Sequence, residues 1–207
     1  MRGKKPSLPR LPALAEKDFS PAQRALIEAI RTGPRGKVTA GQDFNRGPFA
    51  AFLHAPAFGG HAQKLGAHCR YHSGLPPRLS EFAILVTARL WRAQFEWAAH
   101  VGIAERAGVK PATIRDLRAG RRPAAAPRDE RAIYDFIKEL YAKKRVGDRT
   151  YARVKAVLGG DAAMVELAGI LGYYALVAMM LNVFRLPQPA GERPAFAEPK
   201  AVKKRPA

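Results

Sequence analysis

Residues 80–109 read SEFAILVTARLWRAQFEWAAHVGIAERAGV. From about Arg78 to Trp91 the run is nearly all apolar, with Phe82, Ile84, Leu85, Val86, Ala88 and Leu90. A helix that is apolar on every side is a buried one. Glu81 nevertheless shares a face with Ile84, Leu85 and Ala88 by helical spacing. A second helix, about Gln94 to Ala107, carries Glu96, His100, Ile103 and Ala107 on one stripe. Glu96 and His100 are i, i+4 neighbours, so their side chains can meet. If the two helices close into a hairpin, Glu81 faces that pair. Burying charge without a partner is expensive, so the three side chains predict a site.

The chain has 207 residues and 47% apolar composition, enough for one domain, or two small repeated lobes, with a real core. Its formal charge of +19 is strongly basic. Residues 1–17 carry five basic and one acidic side chain and residues 187–207 carry five and two, so most of the excess belongs to the body. Such an excess suits anionic small molecules, or is simply a solvated surface with two loose tails. No recognition-helix, zinc-finger or RNA-binding motif accompanies it, which argues against a nucleic-acid partner. The single cysteine, Cys69, makes no internal disulfide, and Met1 to Lys17 contains no apolar leader. A cytoplasmic location is expected.

Read in order, residues 1–19 form a basic, proline-punctuated arm. Ser20-Pro21-Ala22-Gln23 is a capping box opening a helix with Leu26, Ile27 and Ile30 inward. Residues 33–47 read as loop, followed by a short helix from Phe49 to His54 and another from about Ala57 to Tyr71. The spacing of His61, His68, Cys69 and His72 matches no standard zinc pattern. Gly108 ends the central hairpin as a left-handed C′ residue. A short helix spans Lys110 to Ala119, and residues 121–127 are a linker. Ile133, Phe136, Ile137, Leu140 and Tyr141 give an amphipathic helix. Asp148 is expected to cap a helix with Tyr151, Val154 and Leu158 inward, and Asp161 to cap the last long one. Leu167 to Phe184 holds no charge, a membrane-span length, but its Gly169, Gly172, Tyr173, Tyr174 and Asn182 favour a core or interface helix and no membrane. No period-two strand pattern occurs, so the predicted fold is all-α.

Glu81, then Glu96-Trp97-Ala98-Ala99-His100-Val101, then Ala104 and Ala107-Gly108-Val109, resemble the carboxymuconolactone decarboxylase family, related to the alkylhydroperoxidase-D type. The likeness is most specific over residues 78–109 and looser from Asn45 to about Leu186. Redox-active relatives carry Cys-x-x-Cys-x-x-x-His after the Glu; those cysteines would fall at Ala93 and Glu96. The chain keeps Glu and His without the thiols, which looks like the decarboxylase branch. The resemblance implies two pseudo-repeated helical lobes around a central hairpin, an alkylhydroperoxidase-D-like domain over residues 20–186, and a homo-trimer or homo-hexamer; residues 187–207 read by composition as a basic Pro-rich tail. Val165-Glu166-Leu167-Ala168 weakly echoes Ser80-Glu81-Phe82-Ala83, with Leu181 and Arg185 standing where Glu96 and His100 would recur.

A Glu–Glu–His group on apolar walls suits general acid–base work. Glu81, in the more hydrophobic surroundings, is expected to have the higher pKa. Glu96, in a first helical turn, is favoured as an anion and is expected to orient His100, the proton carrier. By resemblance the reaction is decarboxylation or proton transfer on a small carboxylated lactone or keto acid, with no cofactor and no metal. Arg89 is a candidate for the substrate's charge, Trp97 for a pocket wall, and His54 for a further pocket residue. The alternatives are a non-catalytic binding protein whose trio is a structural ion-pair network, a metal site on Glu81, Glu96 and His100, and thiol peroxidase activity at Cys69. The family would attract a peroxiredoxin label with or without that chemistry.

Overall fold

The computed structural model describes residues 8–188, 191 and 193–197. It is all-helical, with no strand among those residues: α1 Pro21–Thr32, α2 Gly36–Thr39, α3 Gly47–His54, α4 Pro56–Ala67, α5 Pro77–Trp91, α6 Gln94–Arg106, α7 Pro111–Arg118, α8 Arg128–Lys143, α9 Asp148–Leu158 and α10 Asp161–Val183.

α5 is the axis. Phe82, Ala83, Leu85, Thr87 and Ala88 are wholly buried, because α6, α7, α8 and α10 all pack against it. Each large apolar side chain so covered contributes about 1.5–3 kcal/mol. Arg78 at its start reaches the carboxylates of Asp129 and Glu130, tying α5 to α8. α5 ends at Arg92, which takes the left-handed conformation (φ 53°, ψ 35°). The Ala93 N–H then donates to the Ala88 carbonyl at 2.8 Å, and α6 folds back along α5. Gly108 (φ +101°) closes α6 in the same manner, with the Val109 N–H on the Ala104 carbonyl at 2.9 Å. The central hairpin stands as the sequence implies.

A smaller core joins Phe19, Leu26, Ile27, Ile30, Phe44, Phe52, Leu53 and Ala62. The capping box forms: Ser20 Oγ accepts from the Gln23 N–H while Gln23 Oε1 accepts from the Ser20 N–H. Residues 33–47 are not all loop, since α2 lies within them. The fourth helix stops at Ala67 and continues as a π turn, His68–His72, that points Cys69 inward. Asp148 and Asp161 are first helical residues and not caps. Gly160 makes the turn before α10 at φ 148°, ψ −174°, a region open only to glycine; the Asp161 carboxylate turns to Lys155 at 2.7 Å instead. Val154 is buried in α9, but Tyr151 is 41% exposed, held outward by its hydroxyl on Asp161.

α10 has the length and apolarity of a membrane span, yet 56% of its most apolar window is buried inside the protein, largely against α5. The second half-site has no hairpin: Arg185 lies beyond α10, and Glu166 bonds His68 Nε2 at 3.0 Å. The described parts of both tails are seated. The Arg10 N–H and Nη1 donate to the carbonyls of Phe184 and Val183, capping the C-terminal end of α10. Residues 195 and 196 bond to Gln94 at the start of α6. Residues 1–7 and 198–207, with most of the tail charge, lie outside the described residues.

Candidate active site

Glu81 sits one turn into α5 and His100 at the middle of α6, so the antiparallel hairpin brings them level. His100 Nδ1 and Glu81 Oε2 are 2.8 Å apart, and the residues are 6% and 5% exposed. A pair this close and dry is a strong, charge-assisted one when the ring is protonated. His100 Nε2 makes no protein hydrogen bond, yet it is not among the sealed polar atoms, so it keeps contact with solvent. Tyr174 of α10 presents its ring edge-on to the imidazole, centroids 5.1 Å apart, and Tyr173 stacks on Tyr174 at 5.3 Å. Burial, and next the Glu81 carboxylate, push the Tyr174 phenol well up, so it is a neutral wall.

Glu96 departs from expectation twice. It does not orient His100; Glu81 does. Both Glu96 oxygens are sealed without a hydrogen-bond partner, and burial pushes its carboxyl well above the ordinary range. The dipole of α6 favours the anion by at most about 2 kcal/mol, whereas stripping water from an unpaired carboxylate costs several times that. Desolvation wins, so burial favours the protonated form of Glu96. The trio is thus a dyad with a buried acid beside it.

The other three candidates divide. Trp97 is buried at 1% exposure, its Nε1 unpartnered, and Phe196 of the C-terminal segment packs edge-on against it at 5.7 Å. Arg89 lies two turns beyond Glu81, about 12 Å along the helix, and points away. Its Nε donates to the Arg118 carbonyl at 2.9 Å and its guanidinium lies over the Phe196 ring. The left-handed Gly120 leaves the room it occupies. His54 is exposed and its Nε2 meets the Pro12 carbonyl at 3.0 Å, so it fastens the N-terminal arm and lines no pocket with Glu81. Tyr174 was missed; two phenols in an otherwise apolar run were the available signal.

Cys69 is buried and its thiol is pushed up to about 11, first by burial and then by the Glu166 charge. Among the described residues no three His, Cys, Asp or Glu side chains gather as a metal-ligand set. Two surface clefts, of about 370 Å³ along α1 and about 220 Å³ beneath the N-terminal arm, lie away from the dyad.

Residues 56–139 match the carboxymuconolactone decarboxylase family. Those residues include the whole central hairpin. Among solved structures, the fold is similar to a protein described as an alkylhydroperoxidase AhpD core, an uncharacterized peroxidase-related protein from Ralstonia eutropha JMP134. The TM-score is 0.71 at 16% identity, over 89% of this chain and 94% of that one. No curated protein matches by sequence.

Proposed function

We propose that the chain, whose residues 56–139 match the carboxymuconolactone decarboxylase family and whose fold is similar to an alkylhydroperoxidase AhpD core, is a cofactor-independent acid–base enzyme acting on a small carboxylated lactone or keto acid. The observation that carries this is the 2.8 Å contact between His100 Nδ1 and Glu81 Oε2 with Nε2 left unengaged. Glu81 engages Nδ1 and fixes the ring, so Nε2 is the working nitrogen. In a decarboxylation the bond to the carboxylate carbon breaks, CO₂ leaves, and the electron pair passes into an enolate or carbanion. The Nε2–H proton completes the product. In an isomerisation the same nitrogen removes and returns a proton. Tyr174 walls the ring, and the burial that favours the protonated form of Glu96 works against a second negative charge in the core.

Thiol peroxidase chemistry is not favoured. It needs a thiolate, and the one cysteine is buried with its pKa about 11. A structural role for the dyad is favoured by one fact, its low exposure. We further propose a homo-oligomer joined through the outer face of α10, where Val165, Ala168, Gly169, Gly172, Met179 and Val183 form an exposed apolar stripe.

The test is CO₂ release and ultraviolet change across a panel of carboxy-lactones and β-keto acids. The wild type is expected to turn over at least one of them. His100→Ala is expected to lose about 10²–10⁴-fold in rate with its helical circular dichroism unchanged. Equal rates in the variant would sink the acid–base assignment. Silence of the wild type across the panel, with His100→Ala destabilised, would leave the dyad as a structural pair.

A further inference from the structure

A carboxylated substrate needs a cation near the dyad, and Arg89 points away from it. Arg70 stands in a better place. It belongs to the π turn His68–His72, which packs against α10. π windings are rare and recur at functional sites. In this one Cys69 turns into the core and His68 outward to Glu166. Arg70 is half-buried, with its guanidinium carbon 5.3 Å from the Tyr71 ring centre. It makes no hydrogen bond or ion pair with any described residue, and none of its nitrogens is among the sealed polar atoms. The guanidinium is therefore reachable from solvent, resting on an aromatic ring with its donor edges free to meet an anion.

Tyr174 joins this cation to the dyad. Its ring meets the His100 imidazole edge-on, centroids 5.1 Å apart. Burial, then the charges of Glu81 and Tyr173, push its phenol up, and the Arg70 cation acts on the same phenol in the opposite direction. Arg70, from the π turn, and His100, from α6, thus share one aromatic neighbour on α10. His100 Nε2 is open to solvent as Arg70 is.

We propose that Arg70 is the specificity-determining residue of the candidate active site, its guanidinium holding a carboxylate of the substrate while His100 Nε2 meets the reacting end. The proposal rests on the acid–base reading for the role of His100. The carboxylate held is one that the reaction leaves in place. A cation on a departing carboxylate would favour the ground state over the transition state, in which that charge has begun to move into the carbon frame. On a group that does not react, Arg70 binds ground and transition states alike, so its loss falls on KM and not on kcat.

The experiment has a binding arm that needs no turnover. The whole chain is titrated with sodium benzoate and with its neutral isostere benzamide by calorimetry, while the His100 ring protons are followed by NMR. Benzoate is expected to bind and to move the His100 signals, with benzamide inert. Arg70→Gln is expected to weaken benzoate about tenfold or more, and Arg70→Lys, which keeps the charge and loses the fork, to restore part of the affinity. His100→Ala is expected to keep benzoate affinity within about threefold. In the kinetic arm, on whichever carboxy-lactone or β-keto acid is turned over, Arg70→Gln is expected to raise KM about tenfold or more with kcat within about threefold, whereas His100→Ala loses kcat. Absence of benzoate binding, equal affinity in Arg70→Gln, benzamide matching benzoate, or binding that leaves His100 unmoved would each overturn the assignment. So would a fall in kcat with KM unchanged in Arg70→Gln. The two readings fail separately. Turnover lost in His100→Ala but untouched in Arg70→Gln removes the anchor and keeps the acid–base site. Arg70-dependent benzoate binding beside His100, with no turnover on the panel, keeps the anion site and removes the chemistry. If Arg70→Gln fails to fold, Arg70→Lys decides, and benzoate affinity equal to the wild type there overturns the fork.

Discussion

Glu96 sets a sign that stability measurements can read. Its carboxyl is held well above the ordinary value by burial. The unfolded chain therefore releases this proton at lower pH than the native protein does. Native Glu96 binds more protons than unfolded Glu96 between those two values, so stability falls as pH rises from about 4.5 upward through that interval. Glu96→Met removes the ionisable group and fills the space with an apolar chain of similar length. Urea unfolding is expected to show the variant more stable by about 1–3 kcal/mol at pH 8, with the gap closing toward pH 4. A gap that grows on acidification would contradict the assignment. Cys69 gives a second reading at this scale. With its thiol at about 11 and 2% exposed, it is expected to resist iodoacetamide at pH 7.5 in the folded protein, as mass spectrometry would show. That Glu81 would face His100 across the hairpin was legible in the sequence, because helical spacing sets which residues share a stripe. Which carboxylate takes the imidazole was not. That depends on the rotation of α6 about its axis, fixed by Trp97 and Ala104 packing on α5, and no local rule reports it.

At the scale of elements, the Arg78 clamp is the joint between the two halves. Glu130 has no exposed surface, while the Asp129 side chain is 26% exposed, so losing their shared cation strands the buried Glu130 charge. Arg78→Ala is expected to cost about 3–5 kcal/mol, read from chemical denaturation, whereas removing the exposed Arg153–Asp135 bridge by Arg153→Ala is expected to cost under about 1 kcal/mol. The C-terminal segment is a second joint. Gln94 holds the backbone of residues 195 and 196, and Phe196 covers Trp97. Phe196→Ala is expected to shift Trp97 fluorescence to the red; an unchanged spectrum would mean that another group covers the indole. Helices with strong end signals were found from the sequence, as at Ser20 and Gly108. The π turn at 68–72 and α2 at 36–39 were not, because short windings follow tertiary packing more than propensity.

For the whole molecule, the all-α class and the central hairpin could be read from one stretch, since a helix apolar all round has to be surrounded. The tails could not be read in the same way. Their basic, proline-rich composition suggests solvation, but the carbonyls ending α10 and the amide of Gln94 give short stretches of them a place to bond. The outer stripe of α10 belongs to this scale too. Met179→Glu with Val183→Glu is expected to lower the assembled mass in light scattering while leaving the helical circular dichroism intact. An unchanged mass would move the subunit contact elsewhere.

Arg92, Lys144 and Arg185 each take a left-handed backbone at φ 53°, 62° and 53°, where a side chain costs about 1–2 kcal/mol that glycine avoids. All three follow the end of a helix, where a positive charge is welcome, so part of that strain is offset. Evolution has left thermal headroom at these corners. Lys144→Gly, remote from the dyad, is expected to raise the melting temperature by a degree or two, whereas the same exchange at Arg92 loosens the hinge that aligns Glu81 with His100. The chain is thus easier to make hardier at its margins than at its middle.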